Sequence, residues 1–148
     1  MNENDLKVFI DGATNYFNQM SNRPAIVQTP YLEENDVAIR HDFTGIIGIS
    51  GKKKGCVYFT APESLLKHLL LTIGELDTSR DALSDLVGEV ANTISGNARA
   101  YFGSEFMISV PIVLNGKTDR IKMPNSHRSY VIPVVWRNHE AAIVISLE

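Results

Sequence analysis

The longest helical pattern of the sequence, Ser79 to Phe102, constrains the fold of this chain more than any other segment. Apolar residues recur in it every three or four positions, which is the spacing of one face of an α-helix. The predicted buried stripe consists of Leu83, Leu86, Val87, Val90, Ile94, Ala98 and Tyr101. Thr78, with Asp81 three residues later, predicts the start of the helix, and Gly103 predicts its end. A helix with so broad an apolar face needs a large surface to pack on.

Strands predicted on both sides of this helix supply that surface. Asp36 to Ser50 and the later CVYFTA, joined by the basic tip GKKKG (Gly51 to Gly55), predict a hairpin. Three β-rich runs follow the helix, namely FMISVPIVLNG, RSYVIPVVW and EAAIVISLE. Asn115-Gly116 within the first run is a favoured tight-turn dipeptide.

Two shorter amphipathic helices complete the pattern. One runs from Leu6 to Met20. The other has its start signal in Thr60, Pro62 and Glu63, buries a stripe that ends at Ile73, and stops at Gly74. The predicted fold class is therefore α+β, with long helices packed on a mostly antiparallel sheet. We expect one domain over residues 1–148.

Composition excludes several classes of protein. With 148 residues, 44% of them hydrophobic, the chain can bury a core that needs neither disulfides nor a structural metal, and Cys56 has no cysteine to pair with. A net charge of -3 gives no basic excess for nucleic acid. The first twenty residues lack the pattern of a signal peptide, and no apolar run is long enough to span a bilayer. We expect a cytoplasmic protein that binds neither nucleic acid nor membrane.

The face of the long helix opposite its apolar stripe carries Asp85, Glu89, Asn92 and Gly96. It has no long basic residue, and Gly88 and Gly96 stand one turn before and after Asn92, each costing about 0.8–1 kcal/mol relative to Ala. One interpretation is that this face is merely solvated. The other is that its glycines let the backbone of a partner protein approach, while Glu89 and Asn92 project into that partner. Violations of helix propensity tend to mark functional sites, which favours the second interpretation.

Asp85, Glu89 and Asn92 form the pattern D-x-x-x-E-x-x-N, which resembles the signature of the CheC, CheX and FliY family of response-regulator phosphatases. GEVANTISGNAR (Gly88 to Arg99) is similar to the CheX version of this helix. The resemblance extends over Gly48 to Leu70 and Ile143 to Glu148. It implies a CheC/CheX-like fold and a helix that inserts into the phosphorylation site of a CheY-type receiver domain.

The resemblance also implies roles for individual residues. Glu89 would pair with the receiver's lysine and Asn92 would orient the water that attacks the aspartyl phosphate, while Asp85, Gly88 and Gly96 would contact the partner. An amide can both donate to and accept from a water, and phosphoryl transfer depends more on alignment than on a strong base. The receiver would hold Mg²⁺, so the chain would need no metal or cofactor of its own.

Other family features match this sequence less closely. The downstream proline of the longer signature would be Pro111, with only 18 residues between it and Asn92. The first helix offers Asp11 and Asn15 in place of a second motif, which favours one site per chain. A non-catalytic receiver-binding or adaptor module remains the alternative function.

Two further predictions concern assembly and competing chemistry. Arg128 to Trp136 and Ala141 to Leu147 would be long edge strands, which isolated domains usually protect, and the resemblance to CheX implies a homodimer that joins the sheets across them. Trp136 is predicted to lie in the core or at a sheet edge. The four histidines fall in different predicted elements without metal-site spacing, and the serines lack a nucleophile elbow, so we expect neither a metal site nor nucleophilic catalysis. These histidines are His41, His68, His127 and His139.

Overall fold

The computed structural model describes residues 1–34, 40–116 and 128–147 of the chain. Three helices and eight strands occur in these ranges. In chain order they are α1 Glu3–Ser21, β1 Ala25–Val27, β2 Tyr31–Glu34, β3 Phe43–Gly51, β4 Gly55–Ala61, α2 Glu63–Thr72, α3 Arg80–Phe102, β5 Phe106–Ile108, β6 Ile112–Asn115, β7 Arg128–Trp136 and β8 His139–Leu147.

The strands form one antiparallel sheet with the order β1-β7-β8-β4-β3-β5. In addition, β2 pairs with β7 and β6 pairs with β3. The β3–β4 hairpin has the register Phe43↔Ala61 to Ile49↔Gly55, so the predicted hairpin with a basic tip is confirmed. The α+β class with a mostly antiparallel sheet is confirmed as well.

The predicted positions of the two long C-terminal strands are wrong. β7 lies between β8 and the β1/β2 strands, and β8 lies between β7 and β4, so neither is an edge strand. The edge strands of the described sheet are short instead: β1 and β2 lie on one side, and β5 and β6 lie on the other. Their exposed side chains include Ile26 and Ile112, which are 64% and 60% exposed. A homodimer therefore stays a prediction, and its premise of long unpaired strands no longer supports it.

All three helices contribute to the main core, on one face of the sheet. Trp136 is fully buried there, as predicted, and its indole Nε1 donates to Ser21 Oγ at 3.2 Å. A smaller cluster on the other face consists of Cys56, Tyr58, Val131, Ala142 and Val144. Among the described helices, none has the length and apolarity needed to cross a membrane.

Two predicted details of α3 need correction. Ser79, not Thr78, caps α3, because its hydroxyl accepts from the Ala82 amide at 3.3 Å. Tyr101 is 55% exposed, because Phe102 makes the closing contacts, with ring centroids 4.9 Å from Phe106 and 6.3 Å from Phe9.

The second helix begins at Glu63 after its N-cap Pro62 and ends at Thr72, just before Gly74, so its predicted start at Pro62 and Glu63 and its predicted end are confirmed. Thr60 lies inside β4, and the first amide of α2, that of Glu63, donates to Asp42 Oδ2 at 2.8 Å across 21 positions of sequence. Ile73 is 37% exposed because it follows the last helical residue, where helical periodicity no longer fixes its direction.

Candidate functional site

The polar face of α3 is exposed as the sequence predicts. Asp85, Glu89 and Asn92 are all exposed, and within the described part of the chain their side chains make no hydrogen bond or ion pair. Glu89 and Asn92 stand three residues apart, about 4.5 Å along the helix axis. One acceptor carboxylate and one amide that both donates and accepts thus project together from one helical turn.

A contact between backbones fixes the height of this face above the sheet. A Cβ atom on Gly45 of β3 would lie 2.6 Å from the Val87 carbonyl oxygen and 3.1 Å from Gly88 Cα. Only glycine lets strand and helix approach so closely. Sequence analysis missed Gly45, although a glycine inside a strand pattern is a recognised sign of close backbone approach.

The two glycines of α3 differ in their surroundings. Gly88 is buried, and a Cβ on it would lie 3.2 Å from Val113 Cγ2 and 3.4 Å from Pro111 Cβ. The expectation that Gly88 leaves space for a partner is wrong, because the chain's own β6 region occupies that space. Gly96 is half-buried, and no atom of the described residues lies within 4 Å of a Cβ placed on it. Only Gly96 thus offers open surface beside the polar face.

The segment from β5 to β6 borders one side of this helix. Pro111 packs beside Gly88, one turn before Asn92, so it lies close to the polar face. Its neighbours Val110 and Ile112 are 82% and 60% exposed. At the far end of this border, Ser84 Oγ donates to Asn115 Oδ1 at 3.0 Å.

Helix α1 borders the other side and contributes a residue that sequence analysis missed. Tyr16 is 3% exposed, and its hydroxyl is buried without a hydrogen-bond partner in the described structure. Burial, and then the negative charge of Glu89, raise the pKa of Tyr16 above its ordinary value. On the outer face of α1, Asp11 pairs with Lys7 at 3.6 Å, and Asn15 is exposed.

Two of the histidines, which lie in different elements as predicted, meet in space. His68 Nδ1 lies 3.1 Å from His139 Nε2, and His139 Nδ1 lies 3.2 Å from Ser64 Oγ. Partial burial, then the positive charge of Arg137, lower the pKa of His68. His127 lies outside the described residues.

Neither a metal-binding cluster nor a reactive thiol occurs in the described structure. Across residues 1–34, 40–116 and 128–147, no three side chains of His, Cys, Asp or Glu stand together as metal ligands. Burial raises the pKa of the Cys56 thiol to about 11, so the thiol is protonated at neutral pH.

A family model described as chemotaxis phosphatase CheX matches residues 43–135, a range that contains all of α3. No curated protein matches the chain in sequence. Solved structures of the same fold include a CheC-like superfamily protein from Shewanella sp. PV-4, with 29% identity, a TM-score of 0.86, and 100% and 99% of the two chains covered. Chemotaxis protein CheX from Desulfovibrio desulfuricans has 28% identity, a TM-score of 0.83, and 98% and 99% coverage.

The fold also matches a structure that includes a second protein. The CheX–CheY–BeF3–Mg²⁺ complex from Borrelia burgdorferi has a TM-score of 0.78 at 18% identity, with 97% of each chain covered. At that identity the likeness concerns the fold.

Proposed function

The chain belongs to the chemotaxis phosphatase CheX family, and on that premise we propose that it hydrolyses the aspartyl phosphate of a phosphorylated CheY-type receiver domain. The observation that carries the proposal is the row of exposed side chains on α3, Asp85, Glu89 and Asn92, which have no hydrogen-bond or ion-pair partner among the described residues. The relative bound to CheY in the Borrelia burgdorferi complex supports a receiver as the partner.

In the proposed complex α3 enters the receiver's phosphorylation site. Glu89 pairs with the receiver's lysine, because a carboxylate without an internal partner is free to accept from an ammonium group. Asp85 contacts the rim, and Gly96 leaves room for the receiver's backbone. The Gly45–Val87 contact supports the helix from behind, so docking does not displace it.

Asn92 acts on the attacking water. Its carboxamide oxygen accepts a hydrogen bond from an O–H of the water, or its NH₂ group donates to the water oxygen, and either bond orients a lone pair of the water toward phosphorus. The new bond forms between water oxygen and phosphorus, the aspartyl O–P bond breaks, and the products are a free aspartate carboxylate and inorganic phosphate, which keeps both protons of the water. Holding the water in line reduces the entropic cost of this step, and alignment is most of what phosphoryl transfer requires.

Mg²⁺ belongs to the receiver in this proposal. The described residues of this chain include no suitable ligand cluster, and its exposed carboxylates Asp85 and Glu89 serve docking. The chain's contribution is thus two acidic side chains for docking and one amide for the water, all on one helix.

A non-catalytic module, docking through the same face without accelerating hydrolysis, is the competing function. Phosphate release from a phosphorylated receiver, measured with and without the protein, separates the two. We expect faster release with the protein, and no signal from a receiver whose phosphorylatable aspartate is replaced. Binding to a BeF3-treated receiver without faster release would support the module instead, and absence of binding would contradict both.

A further inference from the structure

Tyr16 of α1 has a hydroxyl group that the fold leaves unsatisfied. The residue is 3% exposed, its ring packs edge-on against Phe17 with centroids 5.5 Å apart, and its oxygen has no hydrogen-bond partner in the described structure. Buried hydroxyls are nearly always paired, since an unpaired one loses its hydration without compensation. A phenylalanine would fill the same space without that cost, so the hydroxyl calls for an explanation.

The packing of α1 on α3 brings this hydroxyl to the candidate site. The two helices run antiparallel, with Phe9 against Phe102 and with a Cβ on Gly12 lying 3.6 Å from Ile94 Cα. Later residues of α1 therefore pack against earlier residues of α3. One turn beyond Gly12, Tyr16 reaches the turn of α3 that contains Glu89.

Glu89 is a suitable acceptor at that place. Its side chain is exposed and makes no ion pair or hydrogen bond in the part of the chain that the structure describes. Its negative charge acts on Tyr16, since it contributes to the raised pKa of the phenol. A carboxylate has about four acceptor sites, so one bond to a phenol leaves room for the receiver's lysine.

We propose that Tyr16 is a positioning residue: when the exposed Glu89 side chain turns toward α1, the Tyr16 hydroxyl donates a hydrogen bond to its carboxylate and holds it ready for docking. This inference rests on the proposed function of Glu89. The bond restricts the rotamers of Glu89 before the receiver arrives, so less conformational entropy is lost on binding. Tyr16 touches neither the water nor the phosphoryl group, and its effect appears in association rather than in the chemical step.

Tyr16→Phe tests the proposal because it removes one oxygen and keeps the ring. We expect KM for the phosphorylated receiver to rise about three- to tenfold, the size of one hydrogen bond, with kcat unchanged. In a Glu89→Ala background the same substitution should have no further effect on KM. Tyr58→Phe is the matched control, since Tyr58 is equally buried but lies in the cluster on the other face of the sheet.

A second measurement needs no receiver. With ¹³C-labelled glutamate, Tyr16→Phe should move the carboxyl resonance of Glu89, and Tyr58→Phe should not. If the unmutated protein has no phosphatase activity but Tyr16→Phe still moves the Glu89 resonance, the proposed function is wrong and the Tyr16–Glu89 bond stands. An unmoved resonance, or equal effects of Tyr16→Phe on KM with and without Glu89, would overturn the bond itself.

Discussion

Gly45 of β3 and Val87 of α3 are in direct backbone contact, because a Cβ on Gly45 would lie 2.6 Å from the Val87 carbonyl oxygen. Real Cβ atoms do not approach a backbone oxygen so closely. Val87 stands two positions before Glu89, so this contact sets where the candidate site sits relative to the sheet. Backbone contact is stiffer than contact through long side chains, and a site that must align a water gains from that stiffness.

Gly45→Ala should therefore lower the free energy of unfolding by about 1–3 kcal/mol, the usual cost of overpacking. Urea denaturation followed by circular dichroism measures the change. Gly48→Ala on the same strand is the control, because the nearest atom to its Cβ, Ser109 Oγ, lies at an ordinary 3.4 Å. Equal destabilisation by both substitutions would show that strand glycines matter here for another reason.

Leucine at Gly88 and at Gly96 should have opposite effects on stability. Gly88→Leu places a side chain against Val113 and Pro111 and should lower the melting temperature, whereas Gly96→Leu faces open space and should gain about 0.8 kcal/mol of helix propensity. The stable Gly96→Leu variant should nevertheless lose receiver docking if the receiver's backbone passes there. Full phosphatase activity in that variant would contradict its role in binding.

The His68–His139 pair predicts a pH dependence of stability. The two nitrogens, 3.1 Å apart, can bond only if one lacks a proton, and partial burial with the charge of Arg137 lowers the pKa of His68 in the folded protein. The unfolded chain then binds more protons below about pH 6.5, so the free energy of unfolding falls as pH decreases through that window. Melting temperatures at pH 7.5 and 5.5 measure the slope. His68→Gln should flatten it, and an unchanged slope would show that His68 does not contribute.

Local features of the fold were predictable because local periodicity encodes them. The spacing of apolar residues in α3 placed Asp85, Glu89 and Asn92 on the exposed side, where the structure has them. The same reasoning misassigned Tyr101, since in the last turn of the helix the neighbouring Phe102 makes the aromatic contacts.

Features that depend on distant segments could not be predicted in this way. Gly88 and Gly96 look alike in sequence, and only the position of Pro111 makes one of them a packing residue. β7 looks like an edge strand until β1 and β2, about a hundred residues earlier, pair with it. His68 and His139 meet across 71 positions of sequence. Strand order and such contacts are properties of the assembled sheet.

Glu89→Lys should weaken association with the receiver by roughly tenfold or more, because it brings two positive charges together where a carboxylate and a lysine are proposed to meet. Affinity for a BeF3-treated receiver, measured by titration calorimetry, checks this. Glu140→Lys makes the same charge change at an exposed position of β8 and should leave affinity nearly unchanged. Equal losses would point to net charge rather than to a contact of Glu89.

Asn92→Ala should separate binding from chemistry. Removing the amide leaves the helix and Glu89 in place, so affinity for the BeF3-treated receiver should persist while hydrolysis falls by roughly a hundredfold, as for the loss of one preorganised catalytic group. Asn97→Ala is the matched control, since Asn97 is exposed on the same helix but lies beside Gly12 of α1. Both substitutions raise helix propensity equally, so only the position of the amide distinguishes them. Loss of binding together with hydrolysis would favour the non-catalytic module, and an undiminished rate would remove Asn92 from the proposed chemistry.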